Sequence, residues 1–213
     1  DAHLADHVLY SAVVEGGSGF DVINFGDTND AFFLHDNVST FHESLQLSAA
    51  SNGNAGRVRF SGIEEINLGD GNDFLDLRSD DYSTGVDTLR IFGQSGDDTV
   101  WATNRAEHIF GGVGVDAIFG GGGADLIRGG YGDDSLHGQD GADTLEGGHG
   151  LDLLDGGQGF DHIMGGAGDD IVWAGASPDR VYGGDGNDWI SGGSNSGMTV
   201  DGLWGEAGND TIV

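Results

Sequence analysis

An aliphatic side chain returns every nine residues through the second half of the chain, at Ile118, Ile127, Leu136, Leu145, Leu154, Ile163, Val172, Val181 and Ile190. Two residues before each stands an aspartate: Asp116, Asp125, Asp134, Asp143, Asp152, Asp161, Asp170, Asp179 and Asp188. Glycines precede each aspartate. Side chains alternate faces along a strand, so a triplet such as Ser135-Leu136-His137 predicts a short strand with Leu136 turned inward. The glycine-rich hexapeptide between triplets predicts a turn. Two nonapeptides then make one coil of an all-β solenoid, and residues eighteen apart lie above one another.

The register extends outward with interruptions. Asp98 is in phase, and Glu107 takes the aspartate position ahead of Ile109. Further back, Asp87 with Leu89 is displaced by two residues, Asp73 with Leu75 follows Glu64 with Ile66, and Asp21 and Asp30 precede Ile23 and Phe32. Downstream, extra residues near SNSGM precede Asp201 with Leu203, then Asp210 with Ile212. Residues 33–60 break the period: STFHESLQL suits a strand or a short helix, SNGNAG a loop, and RVRF a strand. The expected organisation is a divergent part over 1–92 with an insertion at about 33–60, then a regular roll over 93–213 with a short insertion near 192–200. The longer insertion reads as a closure of the roll's open end or as a ligand-binding loop.

Composition sharpens the problem. The chain has 43 glycines among 213 residues, 37 acidic side chains against seven basic ones, all arginine, and a formal charge of -30. Each glycine forfeits roughly 0.5 to 1 kcal/mol relative to alanine, and unneutralised charge opposes compaction. Stacking would place Asp98, Asp116, Asp134, Asp152, Asp170 and Asp188 along one edge and Asp125, Asp143, Asp161 and Asp179 along the other, with Glu107 in line below. Rungs are about 4.8 Å apart, so a cation between coils resolves the repulsion. The available donors are carboxylates and carbonyls that glycines can aim, which favours calcium over magnesium and over softer metals. About eight divalent ions would cancel roughly half the formal charge.

Other chemistry is weakly signalled. The acidic balance argues against nucleic acid and anionic membranes. Cysteine is absent, which removes disulfides and thiolate metal sites. No apolar run approaches the roughly 20 residues of a membrane span. The histidines His3, His7, His35, His42, His108, His137, His149 and His162 fall at different phases without a triad or zinc spacing, and read as surface residues. The GGxG elements lack the GK[ST] and helix of a phosphate loop. No catalytic residue is expected.

The unit GGxGxD followed by x-aliphatic-x resembles the nonapeptide repeat of the RTX family over about 93–191. GFDVINFGDTNDAFFL and VRFSGIEEINLGDGNDFLDL resemble the divergent openings of such proteins. The resemblance implies a right-handed parallel β-roll with calcium between stacked turns, each ion held by the aspartates of loops n and n+2 and by alternating carbonyls. The metal-binding residues it implies are Asp73 and Asp98, then Gly111, Gly112, Gly114 and Asp116, and Gly120, Gly121, Gly123 and Asp125. They continue with Gly129, Gly130, Tyr131, Gly132 and Asp134, with Gly138, Gly141 and Asp143, and with Gly147, Gly148, Gly150 and Asp152. Gly156, Gly157, Gly159 and Asp161 follow, then Gly165, Gly166, Gly168 and Asp170, Asp179, Gly183, Gly184, Gly186 and Asp188, and finally Asp210. For the ion between the Asp116 and Asp134 loops, Gly112, Gly114, Gly129 and Tyr131 would contribute carbonyls. About eight ions are expected between Asp98 and Asp188, with further ones between the Asp73 and Asp98 loops and the Asp188 and Asp210 loops. Glu107 is one methylene too long for the standard geometry, and the loop AGASPD lacks two glycines, which should weaken its ion.

The same resemblance implies export by type I secretion, a secreted or cell-surface location, and a chain that folds when it meets calcium. RTX enzymes carry catalysis in separate domains. The chain starts at Asp1 without methionine and ends just after a repeat, so it reads as part of a larger bacterial protein whose activity stays open. The alternative is a module of an adhesin or surface layer that contacts glycan or another copy through Leu153, Ile171, Trp173 and Trp189. Cover by the SNSGM insertion or a neighbouring segment is the competing explanation of that face. An ice-binding face is disfavoured, since the loop positions Val115, Asp133, Leu151, Asp169 and Asn187 form no rank of threonine or asparagine.

Overall fold

The computed structural model describes residues 63–78, 88–194 and 200–213, together with the backbone of the strands Ala2–His3, Ala12–Glu15, Val22–Asn24, Ala31–Phe33, Gln46–Ser48 and Ala55–Ser61. The repeat aliphatics decide the architecture. Ile109, Ile118, Ile127, Leu136, Leu145, Leu154, Ile163, Val172, Val181 and Ile190 are fully buried in one continuous core. Their neighbours on either side in sequence point outward, as a two-residue period requires.

Two parallel sheets enclose that core. A ten-stranded sheet runs from Ala2–His3 through Val22–Asn24, Glu65–Asp70, Leu89–Ser95, Glu107–Val113, Leu126–Tyr131, Thr144–His149, His162–Ala167 and Arg180–Asp185 to Gly202–Ala207. A nine-stranded sheet runs from Ala31–Phe33 through Phe74–Asp76, Thr99–Trp101, Ala117–Gly123, Ser135–Gly141, Leu153–Gln158, Ile171–Trp173 and Trp189–Ser191 to Thr211–Ile212. The chain alternates between them, one strand per nonapeptide, and among the described residues there is no helix. The protein is therefore an all-β parallel solenoid.

Register survives every irregularity in spacing. Aspartates of adjacent rungs are 18 residues apart from Asp98 to Asp188, 25 apart between Asp73 and Asp98, and 22 apart between Asp188 and Asp210. Asn24 and Asn67 meet across 43 residues. Across the 25- and 22-residue steps aliphatic still faces aliphatic, as in Leu75 with Val100 and Val181 with Leu203. A one-residue slip would turn a strand's inward side chain to solvent, whereas lengthening a loop costs little. Extra residues accordingly bulge out, and the column is kept.

The RVRF segment lies in Ala55–Ser61, which pairs in parallel with Ala12–Glu15 and antiparallel with Gln46–Ser48 in a separate small sheet. The QL end of STFHESLQL is thus strand, which continues to Ser48. The rest of that tract, SNGN, Asp87, the SNSGM insertion from residue 195, and His7, His35 and His42 lie outside the described residues.

Candidate metal centre

Each turn enters from the end of one strand and delivers its aspartate just before the next. The second and fourth residues of the hexapeptide adopt left-handed backbone, as in Gly112 (φ 120) with Gly114 (φ 140) and Gly148 (φ 117) with Gly150 (φ 136). Only glycine enters this region without strain. Left-handed residues separated by an extended one reverse successive peptide planes, which turns alternate carbonyls toward the inside of the loop.

The aspartate itself is almost wholly enclosed. From Asp98 to Asp188 every repeat aspartate is only 1–3% exposed. Its two oxygens have different surroundings. One accepts the main-chain N–H of the aspartate one rung earlier: Asp116 N–H to Asp134 Oδ1 at 2.8 Å, Asp134 to Asp152 at 2.8 Å, and Asp125 to Asp143 on the other edge at 2.8 Å. This ladder runs from Asp73 to Asp210 on one edge and from Glu107 to Asp201 on the other. The second oxygen, Oδ2, is buried with no hydrogen-bond partner at Asp98, Asp116, Asp125, Asp134, Asp143, Asp152, Asp161, Asp170, Asp179 and Asp188, as is Oε2 of Glu107.

Those oxygens converge on the first glycine of the hexapeptide. A methyl group added at Gly120 would lie 2.6 Å from Asp125 Oδ2 and 2.9 Å from the Gly138 carbonyl oxygen of the next rung. The same two kinds of oxygen close over Gly93, Gly111, Gly129, Gly138, Gly147, Gly156, Gly165 and Gly183, with Ala174 supplying the carbonyl above Gly156. Each is a small oxygen-lined cradle between successive rungs. Among the described residues no three His, Cys, Asp or Glu side chains converge on a common point. A metal held there must therefore take most of its ligands from the main chain.

Electrostatics agree with an ion-accepting site. Burial, ahead of every other cause, pushes the Asp125 carboxyl up to about 8, Asp98, Asp134, Asp161 and Asp170 to about 7, and Asp116, Asp152 and Asp179 to about 6. Asp143 and Asp188 are raised for the same reason. The N–H bond from the preceding rung opposes the shift, and neighbouring carboxylates add to it at most of these positions. A buried carboxylate with one orphaned oxygen is relieved by a proton or by a cation, and an all-oxygen donor set of carboxylate and carbonyl suits calcium.

The RTX calcium-binding nonapeptide repeat matches in four copies, at residues 92–127, 128–163, 164–197 and 201–213. The chain belongs to the RTX calcium-binding nonapeptide-repeat family. Comparison with curated proteins finds no match. RTX membership makes this a calcium-binding β-roll, and the repeat is a structural element, not a catalytic one.

The structure distributes the expected RTX residues unevenly. Asp116 Oδ2 and the Gly129 carbonyl share the cradle above Gly111. The Tyr131 carbonyl already accepts the Gly114 N–H at 2.8 Å, so one lone pair remains for other use. Loop AGASPD keeps the turn despite its missing glycines, because Gly175 (φ 110) and Ser177 (φ 97) are both left-handed. Asp210 completes the ladder above Asp188.

Two features escape a reading of the repeat alone. Residues just before the aspartate build a second, exposed ladder: Val115 N–H donates to Asp97 at 2.9 Å, Leu151 N–H to Asp133 at 2.8 Å and Asn187 N–H to Asp169 at 2.7 Å. Ser135 Oγ also lies 3.1 Å from His137 Nε2, with His137 Nδ1 3.7 Å from Asp155 Oδ2. That order mimics a hydrolase triad. The second distance exceeds a hydrogen bond, and the Ser135 and Leu153 N–H groups are bonded to rung carbonyls, which leaves neither to stabilise an oxyanion.

Proposed function

We propose that this chain is a calcium-operated folding module of a secreted or cell-surface bacterial protein, disordered where calcium is scarce and locked into the roll after export. The observation that carries this reading is the row of buried Oδ2 atoms without hydrogen-bond partners, nine of which face a carbonyl of the next rung across a glycine. Nine such cradles, six on the Asp98 edge and three on the Asp125 edge, stand ready for ions. Asp98 to Asp188 would supply the carboxylates and the first glycines the carbonyls. Residues 93–213 would be the regular roll, with 1–92 as its divergent beginning.

The site is formed by folding, so ion binding energy becomes folding energy. Extracellular calcium modules operate near 10⁻⁴ to 10⁻³ M, about the affinity such a switch needs. A calcium titration followed by circular dichroism and scattering tests this: β signal and compaction should rise together in the millimolar range. A chain that stays compact and β-rich in chelator contradicts it.

A second reading concerns the outer face of the nine-stranded sheet. Ile171 and Trp173 are 42% and 39% exposed, and Trp173 meets Trp189 edge-on at 5.7 Å. Together with Leu153 they form an apolar face on a highly acidic protein, a feature that suits contact with glycan or a second copy. Replacing Trp173 and Trp189 by serine should then abolish retention on glycan or self-association while calcium folding is kept. Loss of neither activity rejects the contact role.

A further inference from the structure

Loop 102–107, ATNRAE, departs from every neighbour. Among the fully described hexapeptide turns from 68–73 to 205–210, it alone has no left-handed residue at its second and fourth positions, which are Thr103 and Arg105. The Thr103 and Arg105 carbonyls still face Gly121 and Gly123 of the next rung, as in the regular loops, so what sets this loop apart is its ordinary backbone and its side chains. Its first position is Ala102, buried to 2%. A methyl thus stands where oxygens converge over the first glycine of nine other loops, an exchange shared with Ala174.

A side-chain hydrogen bond engages one oxygen of the carboxylate, Glu107 Oε1, while Oε2 stays buried without a hydrogen-bond partner. Thr103 Oγ1 donates to Glu107 Oε1 and accepts the Arg105 main-chain N–H at 3.1 Å, so one buried hydroxyl ties the loop to its carboxylate. The Arg105 guanidinium also acts on the Glu107 carboxylate as a nearby positive charge, which opposes a divalent cation there.

Outside, the same level is clasped from both sheets. Phe74, Trp101 and Phe119 form an aromatic column with centroid separations of 4.9 and 6.0 Å, and the Arg78 guanidinium lies 3.7 Å from the Trp101 ring centroid. On the opposite sheet Phe92 and Phe110 stack at 4.9 Å. Such ring contacts stabilise the rung without any metal.

We infer that loop 102–107 takes no calcium and that this rung is an ion-free joint, closed by Thr103 and Glu107 and clasped by aromatic side chains. The inference rests on the reading that the other cradles hold calcium. It places the first ion of this edge in the cradle of Asp125 and divides the roll into a metal-free level and metal-filled levels.

Calcium counted per folded chain by native mass spectrometry tests it. Glu107→Gln should bind as many ions as the wild type. The combined variant Ala102→Gly, Thr103→Gly, Arg105→Gly and Glu107→Asp, which restores GGNGAD, should bind one more. Loss of an ion in Glu107→Gln overturns the inference, and so does an unchanged count in a folded combined variant. If the combined variant does not fold, the Glu107→Gln count decides alone. A wild-type chain that binds no calcium brings down the proposed function along with it, whereas a calcium-loaded wild type that loses an ion in Glu107→Gln brings down this inference only.

Discussion

The main-chain N–H of Asp134 donates to Oδ1 of Asp152 at 2.8 Å, while Oδ2 of the same Asp152 is buried without a partner. One carboxylate thus holds its rung to the previous one and leaves a second oxygen for an ion. The two uses are separable by substitution. Asp152→Asn keeps an amide oxygen for the Asp134 N–H and loses the charge; Asp152→Ala loses both. Each should remove one calcium by native mass spectrometry. Asp152→Ala should be the less stable of the two by about 1–3 kcal/mol in calcium-saturated denaturant unfolding, since it leaves a buried donor unsatisfied.

At Gly147, the first position of its turn, glycine is favoured by space and not by backbone angle. A methyl at Gly147 would overlap Asp152 Oδ2 and the Gly165 carbonyl. Gly147→Ala should cost one ion and about 1–3 kcal/mol in the same assay. Gly122 has an ordinary φ, and a methyl there meets nothing closer than 3.5 Å. Gly122→Ala should change stability by less than about 0.5 kcal/mol and keep the full calcium count.

Gln94, Gln139 and Glu206 stand at left-handed positions that glycine fills elsewhere, with φ of 79, 75 and 71. A non-glycine residue in this region costs on the order of 1 kcal/mol. Gln139→Gly should therefore raise the unfolding midpoint in calcium, corresponding to about 1 kcal/mol. A lower midpoint would mean that the side chain contributes more than the strain removes.

Proton and calcium compete for the same oxygens. Folded-state values of about 6 to 8 lie above the ordinary 3.8, so without metal the folded chain holds protons that the unfolded chain has released. The stability this gives the ion-free fold is present in full below about pH 4 and is lost as pH rises through 6 to 8. In chelator, the β signal should be stronger at pH 5 than at pH 8. Calcium affinity should move the other way and strengthen as pH rises through that window. An ion-free β signal that grows with pH would contradict the assignment of these carboxylates to the interior.

Much of this is legible in the repeat. The phase of Ile118 through Ile190 fixes the inward column, and the aspartate two residues earlier fixes the edges, because a strand has only two faces and a nine-residue unit returns each residue type to the same place. The pairing of Ile66 with Ile91, across a 25-residue step, shows why irregular spacing does not spoil the reading: the aliphatic column outweighs the loop. What the repeat does not reveal is which oxygen of each aspartate is free, since Oδ1 and Oδ2 are distinguished only by the N–H of the rung below. Nor does it reveal that Ser177 accepts the left-handed turn while Thr103 refuses it, a difference of backbone that appears once neighbouring rungs are in place.

The most direct test of the central claim is amide hydrogen exchange at Asp116, Asp134, Asp152 and Asp170, whose N–H groups are bonded only if successive carboxylates are stacked. With calcium at about 1 mM, all four should be strongly protected, and chelation should remove that protection from all four together. Protection that persists in chelator at neutral pH would show that the roll stands without its ions, and would contradict the account.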